Sequence, residues 1–238
     1  TLLISIMHVN NEIGTIQPIK EIGEFCKKKN IIFHVDAAQS LGKIEINVKN
    51  MNIDLLSISS HKIYGPKGIG ALYINNKIKN KISPIFWGGG QENGMRPGTL
   101  PTPLIVGFGS AAEICNKEMV SERKNILLLR EKITTEIMST FNDSLINGCI
   151  DNRIAGNINF SFPFLNGMSL VNAVSNIAIS NGSACTSSSS KPSHVLTALG
   201  RNKRDSISSC RIGIGRFNNN NEINIAIDSI INTIKAKI

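Results

Sequence analysis

Two charged residues stand where apolar runs end. Asp36 closes IIFHVD, and Lys62 follows LLSISSH just before a Gly-Pro-Lys-Gly turn. Singly, a carboxylate at such a place caps a helix and a lysine is a solvated charge. Together they supply an amine that can form an imine with a carbonyl and an acid that can keep a heteroaromatic nitrogen protonated. That pairing is the ground plan of a pyridoxal-phosphate (PLP) site. Cys185, in NGSACTSSSSKPSHV, has a second chemistry. A cysteine that fills a core sits in an apolar element, whereas this thiol stands among Asn181, Gly182, Ser183 and a run of Thr and Ser, as a nucleophile or sulfur carrier would. The other four cysteines have apolar neighbours or helical positions and read as structural, Cys210 being set beside Arg211. A third stretch, GGGQENGMRPGT at 88–99, matches neither a P-loop nor a dinucleotide fingerprint. Its backbone N–H groups and the Thr99 hydroxyl could hold a phosphate.

The elements around these residues alternate. Apolar runs at 2–9, 31–35, 55–59 and 70–74 read as strands, and a helix opens at Pro18 with Ile19, Ile22, Phe25 and Cys26 on one face. The pattern predicts an α/β layer with a mostly parallel sheet, whose ligand crevice lies at the carboxyl ends of its strands. Asn10, Asn11, Asp36, His61 and Lys62 all follow such ends. Two helices are expected at 101–119 and 121–141, the second with Ile126, Leu129, Ile133 and Ile137 at helical spacing. Beyond them come a strand near 157–162, a helix near 168–176, a short strand at 177–180, a strand at 210–214 and an amphipathic helix after Asn221. The expected division is therefore 1–119 as part of a large α/β domain and 120–238 as a small α+β C-terminal domain that carries the Cys185 loop.

Composition narrows the function classes. The 238 residues carry 26 Lys+Arg against 17 Asp+Glu, a formal charge of +9, with 41% hydrophobic residues. That apolar fraction excludes intrinsic disorder, and no run reaches the roughly 18–20 apolar residues of a membrane-spanning helix. The basic residues are scattered and lack an interleaved aromatic platform, so neither direct nucleic-acid binding nor a membrane is expected. Five cysteines with no CxxC and no zinc spacing fit a reducing cytoplasm. The chain opens without Met inside an apolar run, which reads as a piece of a longer protein.

Six segments in fixed order carry a resemblance: HVNNEIGTIQPI, HVDAAQSLGK, SSHKIYGPKGIGALY, GGGQENGMRPGTLPTP, SNGSACTSSS and SSCRIGIGRF. With them the chain closely resembles the cysteine desulfurases of the IscS/NifS type, within the class V, fold-type I PLP enzymes. The resemblance implies the fold-type I PLP-dependent transferase architecture and conversion of L-cysteine to L-alanine with an enzyme-bound persulfide. By it, Lys62 carries the cofactor as an imine and Asp36 partners the pyridine nitrogen. Asn11 and Gln39 lie by the cofactor phenolate, Ser59 and His61 contact the phosphate, and Thr99 reaches the phosphate of the other subunit of a homodimer. Arg211 takes the substrate carboxylate, a role its planar fork suits, with Asn157 a weaker candidate beside it. Cys185 forms the persulfide and, through it, acts as a transient iron–sulfur ligand. The implied partners are an iron–sulfur scaffold protein and tRNA-thiolation sulfur acceptors. Ser60 and Pro97 depart from the family's usual small residues, and its upstream glycine-threonine turn, stacking histidine and C-terminal tail are not in this sequence. Alternatives are a selenocysteine lyase, a class V aminotransferase and an inactive dimerisation or sulfur-relay fragment.

Overall fold

The first apolar run forms strand β1 (Leu3–Met7), followed by helix α1 (Ile19–Lys29) and strands β2 (Ile32–Asp36), β3 (Leu55–Ser59) and β4 (Gly70–Ile74). They lie in one sheet in the order β1-β2-β3-β4, the first three parallel and β4 antiparallel. The exception follows from length. The connection between β3 and β4 is shorter than the dozen or more residues a parallel crossover needs, so β4 turns back along β3. Helix α1 buries Ile19, Gly23 and Cys26, and a Cβ at Gly23 would stand 1.9 Å from the Met51 carbonyl oxygen. Lys27, Lys28 and Lys29 occupy its last turn, where cations favour the dipole's negative end, and Asn30 closes it in the left-handed region at φ 53°. Phe33, Val35, Ile53 and Leu56 complete that core.

The computed structural model describes residues 1–182 and 192–238. Its residues fall into two units, Thr1–His8 with Gln17–Met119, and Val9–Ile16 with Val120–Ile238. The second unit is built on an antiparallel sheet of β5 (Leu145–Ile146), β6 (Asn157–Ser161) and β7 (Ser209–Gly213). The strands are two-faced. Ile158, Phe160, Cys210 and Ile212 join a core with Ile126, Leu129, Ile133 and Ile137 of helix α2 (Thr102–Thr140) and with Ile223, Ile227, Ile230 and Ile234 of helix α6 (Asn220–Lys235). The alternate residues, Asn157, Asn159, Ser161, Ser209 and Arg211, share the other face. Asn219 caps α6 in a reciprocal capping box with Glu222. Short helices α3 (Leu170–Ala173), α4 (His194–Ala198) and α5 (Lys203–Ile207) complete the unit.

Four expectations change. The two helices expected at 101–119 and 121–141 are one, because the intervening NKEMVSERKN has neither Gly nor Pro and is rich in helix-favouring residues. The helix expected at 168–176 shrinks to α3, since Val174 is extended and buried in the core. The strand expected at 177–180 is a single bridge between Ser180 and Arg211. The boundary of the first domain, expected at 1–119, omits Val9–Ile16. That segment bonds instead within the second unit: Ile16 N–H to the Asn152 carbonyl, Ile154 N–H to the Gly14 carbonyl, and Asn159 Nδ2 to the Glu12 carbonyl.

Candidate active site

In the first unit, Asp36 is the last residue of β2 and lies opposite Ser57 of β3. The two strands are parallel, so both chains leave the sheet at the same edge. From β2 this edge receives Asp36 and Gln39; from β3 it receives Ser59 and a single-turn 3₁₀ helix, Ser60–Ile63, that contains His61 and Lys62. The turn is held by packing. Ser60 and Ile63 are buried, Ile63 against Phe108, Ala111 and Cys115, while His61 is exposed and Lys62 half-buried. Tyr64 then takes φ 66°, and a Cβ at Gly65 would meet Ser60 Oγ at 2.3 Å, so the backbone reverses in a space no side chain would fit. Asp36 is exposed, and its Oδ1 accepts the Ala38 amide at 2.9 Å, which leaves Oδ2 for a further donor. Ser59 Oγ and His61 Nδ1 are 3.0 Å apart. Gln39 Oε1 accepts from Lys43 Nζ at 3.4 Å.

An amine, an exposed carboxylate on the neighbouring strand, and a hydroxyl–imidazole pair next to the amine form a donor set that suits a carbonyl-bearing, ring-protonated, phosphorylated cofactor. Thr99 lies apart from this set. It is exposed, at the end of a segment braced by Gly98 N–H to Gln91 Oε1 and by Arg96 to the Pro97 and Gly98 carbonyls.

The second unit carries Asn11, Asn157 and Arg211. Arg211 is half-buried on the polar face of β7, and its Nη1 donates to the Asn11 carbonyl at 2.9 Å. Burial pulls its pKa below the usual guanidinium value, while the Glu12 carboxylate acts in the opposite sense. Asn157 is buried, and its Oδ1 has no hydrogen-bond partner among the described residues. Turned over, the same amide would present Nδ2, the donor a carboxylate needs. Cys185 lies outside the described residues.

The first unit thus brings together Asp36, Gln39, Ser59, His61 and Lys62, and the second Asn11, Asn157 and Arg211. Sequence reasoning missed Glu12 and Ser193. Glu12 is 1% exposed, and its Oε2 accepts from Ser193 Oγ at 2.5 Å. The available signal was a lone acid between Asn11 and the apolar Ile13, in a segment otherwise without charge. His8 was missed too: it is buried, its Nδ1 has no partner among the described residues, and burial lowers its pKa.

A mostly parallel α/β sheet that delivers a lysine and a carboxylate from adjacent strands, joined to an antiparallel α+β unit, defines the fold-type I class. Within that class the profile of the aminotransferase class-V family matches residues 1–225, and the chain belongs to this family. The family is PLP-dependent in general. Similar proteins include the cysteine desulfurase IscS of Rickettsia prowazekii, 50% identical over 98% of this chain and 57% of that protein. The mitochondrial cysteine desulfurase of Saccharomyces cerevisiae is 50% identical over 99% of this chain and 47% of its own length. The chain therefore spans about half the length of these relatives. Among solved structures, a NifS-like protein superposes with a TM-score of 0.88 at 34% identity, covering 99% of this chain and 62% of that one. A structure described as SspA in complex with cysteine superposes at 0.73 with 40% identity, covering 92% and 60%.

Proposed function

We propose that this chain belongs to a PLP-dependent cysteine desulfurase, which converts L-cysteine to L-alanine and leaves the sulfur as a persulfide on Cys185. The observation that carries the reading is Lys62 and Asp36 issuing from adjacent parallel strands at one sheet edge. The identity of about 50% to cysteine desulfurases supports the choice of reaction.

PLP, when bound, supplies an electron sink that acidifies the α-proton of an amino acid. The remaining work falls to the chain. Lys62 would hold the cofactor through Nζ and, as a free amine, move the α-proton of the substrate. Asp36 keeps the pyridine nitrogen protonated through its carboxylate. Ser59 and His61 hold the phosphate, with Thr99 contributed from the other subunit of a homodimer. Asn11 and Gln39 orient the phenolate side of the ring. Arg211 takes the substrate carboxylate, assisted by Asn157. The Cys185 thiolate then attacks the substrate sulfur. One S–S bond forms, the substrate's C–S bond breaks, and its electron pair passes to the β-carbon, which is protonated to give alanine.

The sulfane sulfur on Cys185 is available to an iron–sulfur scaffold, for which the persulfide serves as a transient cluster ligand, and to tRNA-thiolation acceptors. A cytoplasmic setting suits a chain that must keep its thiols reduced. Among the described residues, no helix is long and apolar enough to cross a membrane.

The test uses the full-length protein carrying Cys185→Ser. It should bind PLP and respond spectrally to L-cysteine while forming neither persulfide nor alanine. Alanine formation at the unaltered rate would refute the role of Cys185, and equal turnover of L-selenocysteine without that thiol would favour a lyase.

A further inference from the structure

Glu12 has no part in the chemistry proposed above, yet it is an almost fully buried acid. A buried carboxylate persists only where its neighbours satisfy it, so its contacts indicate what it holds. Oε2 accepts the Ser193 hydroxyl at 2.5 Å, within the range of charge-assisted O–H···O⁻ bonds. The same oxygen is the nearest atom to the place where a Cβ on Gly182 would stand, at 3.3 Å. Gly182 and Ser193 are the described residues on either side of the segment that carries Cys185, with only Pro192 between Ser193 and its end. One carboxylate oxygen therefore bonds the chain after that cysteine and closes off the space beside Gly182 before it.

The other connections lead to the arginine. Ser180 forms a two-way backbone bridge with Arg211, and its Oγ donates to the Gly182 carbonyl at 3.0 Å. Arg211 in turn donates to the carbonyl of Asn11, the residue before Glu12. Glu12 itself is fixed from two sides: its amide donates to Asn10 Oδ1 at 2.9 Å, and its carbonyl accepts from Asn159 Nδ2 at 3.1 Å. A thiolate that must meet a substrate sulfur benefits from a fixed distance between its tether and the group that holds the substrate's other end.

We propose that Glu12 is a positioning residue that anchors the Ser193 end of the Cys185 segment, whose other end Ser180 ties to Arg211, so that the thiol is delivered in register with the bound substrate. This rests on the desulfurase reading. It adds to that reading a second requirement, a clamp between Glu12 and Ser193.

The test uses the full-length, PLP-loaded protein with Ser193→Ala, Ser193→Thr, Ser193→Asp and Glu12→Gln. Two reactions are compared. Persulfide formation on Cys185, followed by mass spectrometry in a single turnover with L-cysteine, needs the thiol in register. Elimination of chloride from β-chloro-L-alanine, with pyruvate as product, needs PLP and Lys62 but no thiol. Ser193→Ala should slow persulfide formation about tenfold or more and leave chloride elimination within about twofold. Ser193→Thr, which restores the hydroxyl, should recover most of the rate. Ser193→Asp can still accept the Leu196 amide that Ser193 Oγ accepts at 3.2 Å, but it repels Glu12 and should be as slow as alanine. Glu12→Gln, which keeps an acceptor and loses the charge, should fall between.

Persulfide formation at the unaltered rate in both Ser193→Ala and Glu12→Gln overturns the proposal. So does an equal fall in both reactions for Ser193→Ala, or a normal rate in Ser193→Asp, which would reduce Ser193 to a helix cap. Failure of the desulfurase reading itself shows separately, as cysteine turnover that survives Cys185→Ser.

Discussion

Cys210 lies in β7, one residue from Arg211, and is fully buried. Burial pushes its thiol pKa up from 9.0 to about 12, with the Arg211 charge pulling the other way. Alkylation needs the thiolate. At pH 8 a thiol of pKa 9 is about 10% ionised and one of pKa 12 about 0.01%. The rate should therefore fall roughly 10³-fold, equivalent to about 4 kcal/mol, before any steric exclusion is added. Cys26 is 1% exposed and is also raised, first by burial and then by the Asp54 charge; Cys115 is 4% exposed, and Cys149 is exposed. In folded protein treated with iodoacetamide at pH 8 and mapped by peptide mass spectrometry, Cys149 should label early. Cys26, Cys115 and Cys210 should label only when urea is added, which withdraws them from sulfur chemistry. The raised pKa also has a linkage consequence. The proton is held more tightly in the folded state, so this stabilisation is complete below pH 9 and is lost as pH climbs from 9 toward 12. Labelling of Cys210 within tenfold of Cys149 in the folded protein would refute the burial argument.

Three further outcomes are expected. In full-length protein Lys62→Ala should abolish the visible absorption of lysine-bound PLP together with catalysis, whereas Lys67→Ala, in the exposed Gly-Pro-Lys-Gly turn, should retain both; absorption spectra and alanine assays decide. Mixed dimers of a Lys62→Ala chain and a Thr99→Pro chain, isolated with two affinity tags, should recover up to about half of the normal activity if each site takes its threonine from the other subunit. No recovery above the parent homodimers would return Thr99 to its own subunit. Phe160→Ala should cost about 3–5 kcal/mol in urea unfolding, because Phe160 is fully buried and stacks on Phe162 with ring centroids 6.0 Å apart.

Local pattern was enough for much of the fold. β3 and β4 lie where apolar runs end in turn residues, α1 begins after Pro18 and ends on its lysines, and the Asn-rich run before α6 caps it, because each of these features depends on neighbours within a few residues. The positions of Asp36, at the end of β2, and Lys62, in the turn after β3, were legible for the same reason. The single helix α2 was not, since a serine that could open a helix is equally compatible with one already running, and only packing along its length decides. Val9–Ile16 continues β1 in sequence but joins the second unit through hydrogen bonds to residues more than a hundred positions away, which no local pattern encodes. Glu12 belongs to the same category. In the sequence it is one acid beside two asparagines; in the structure it is a buried acid whose oxygen accepts from Ser193, because the tertiary fold decides which side chain loses its water and what replaces it.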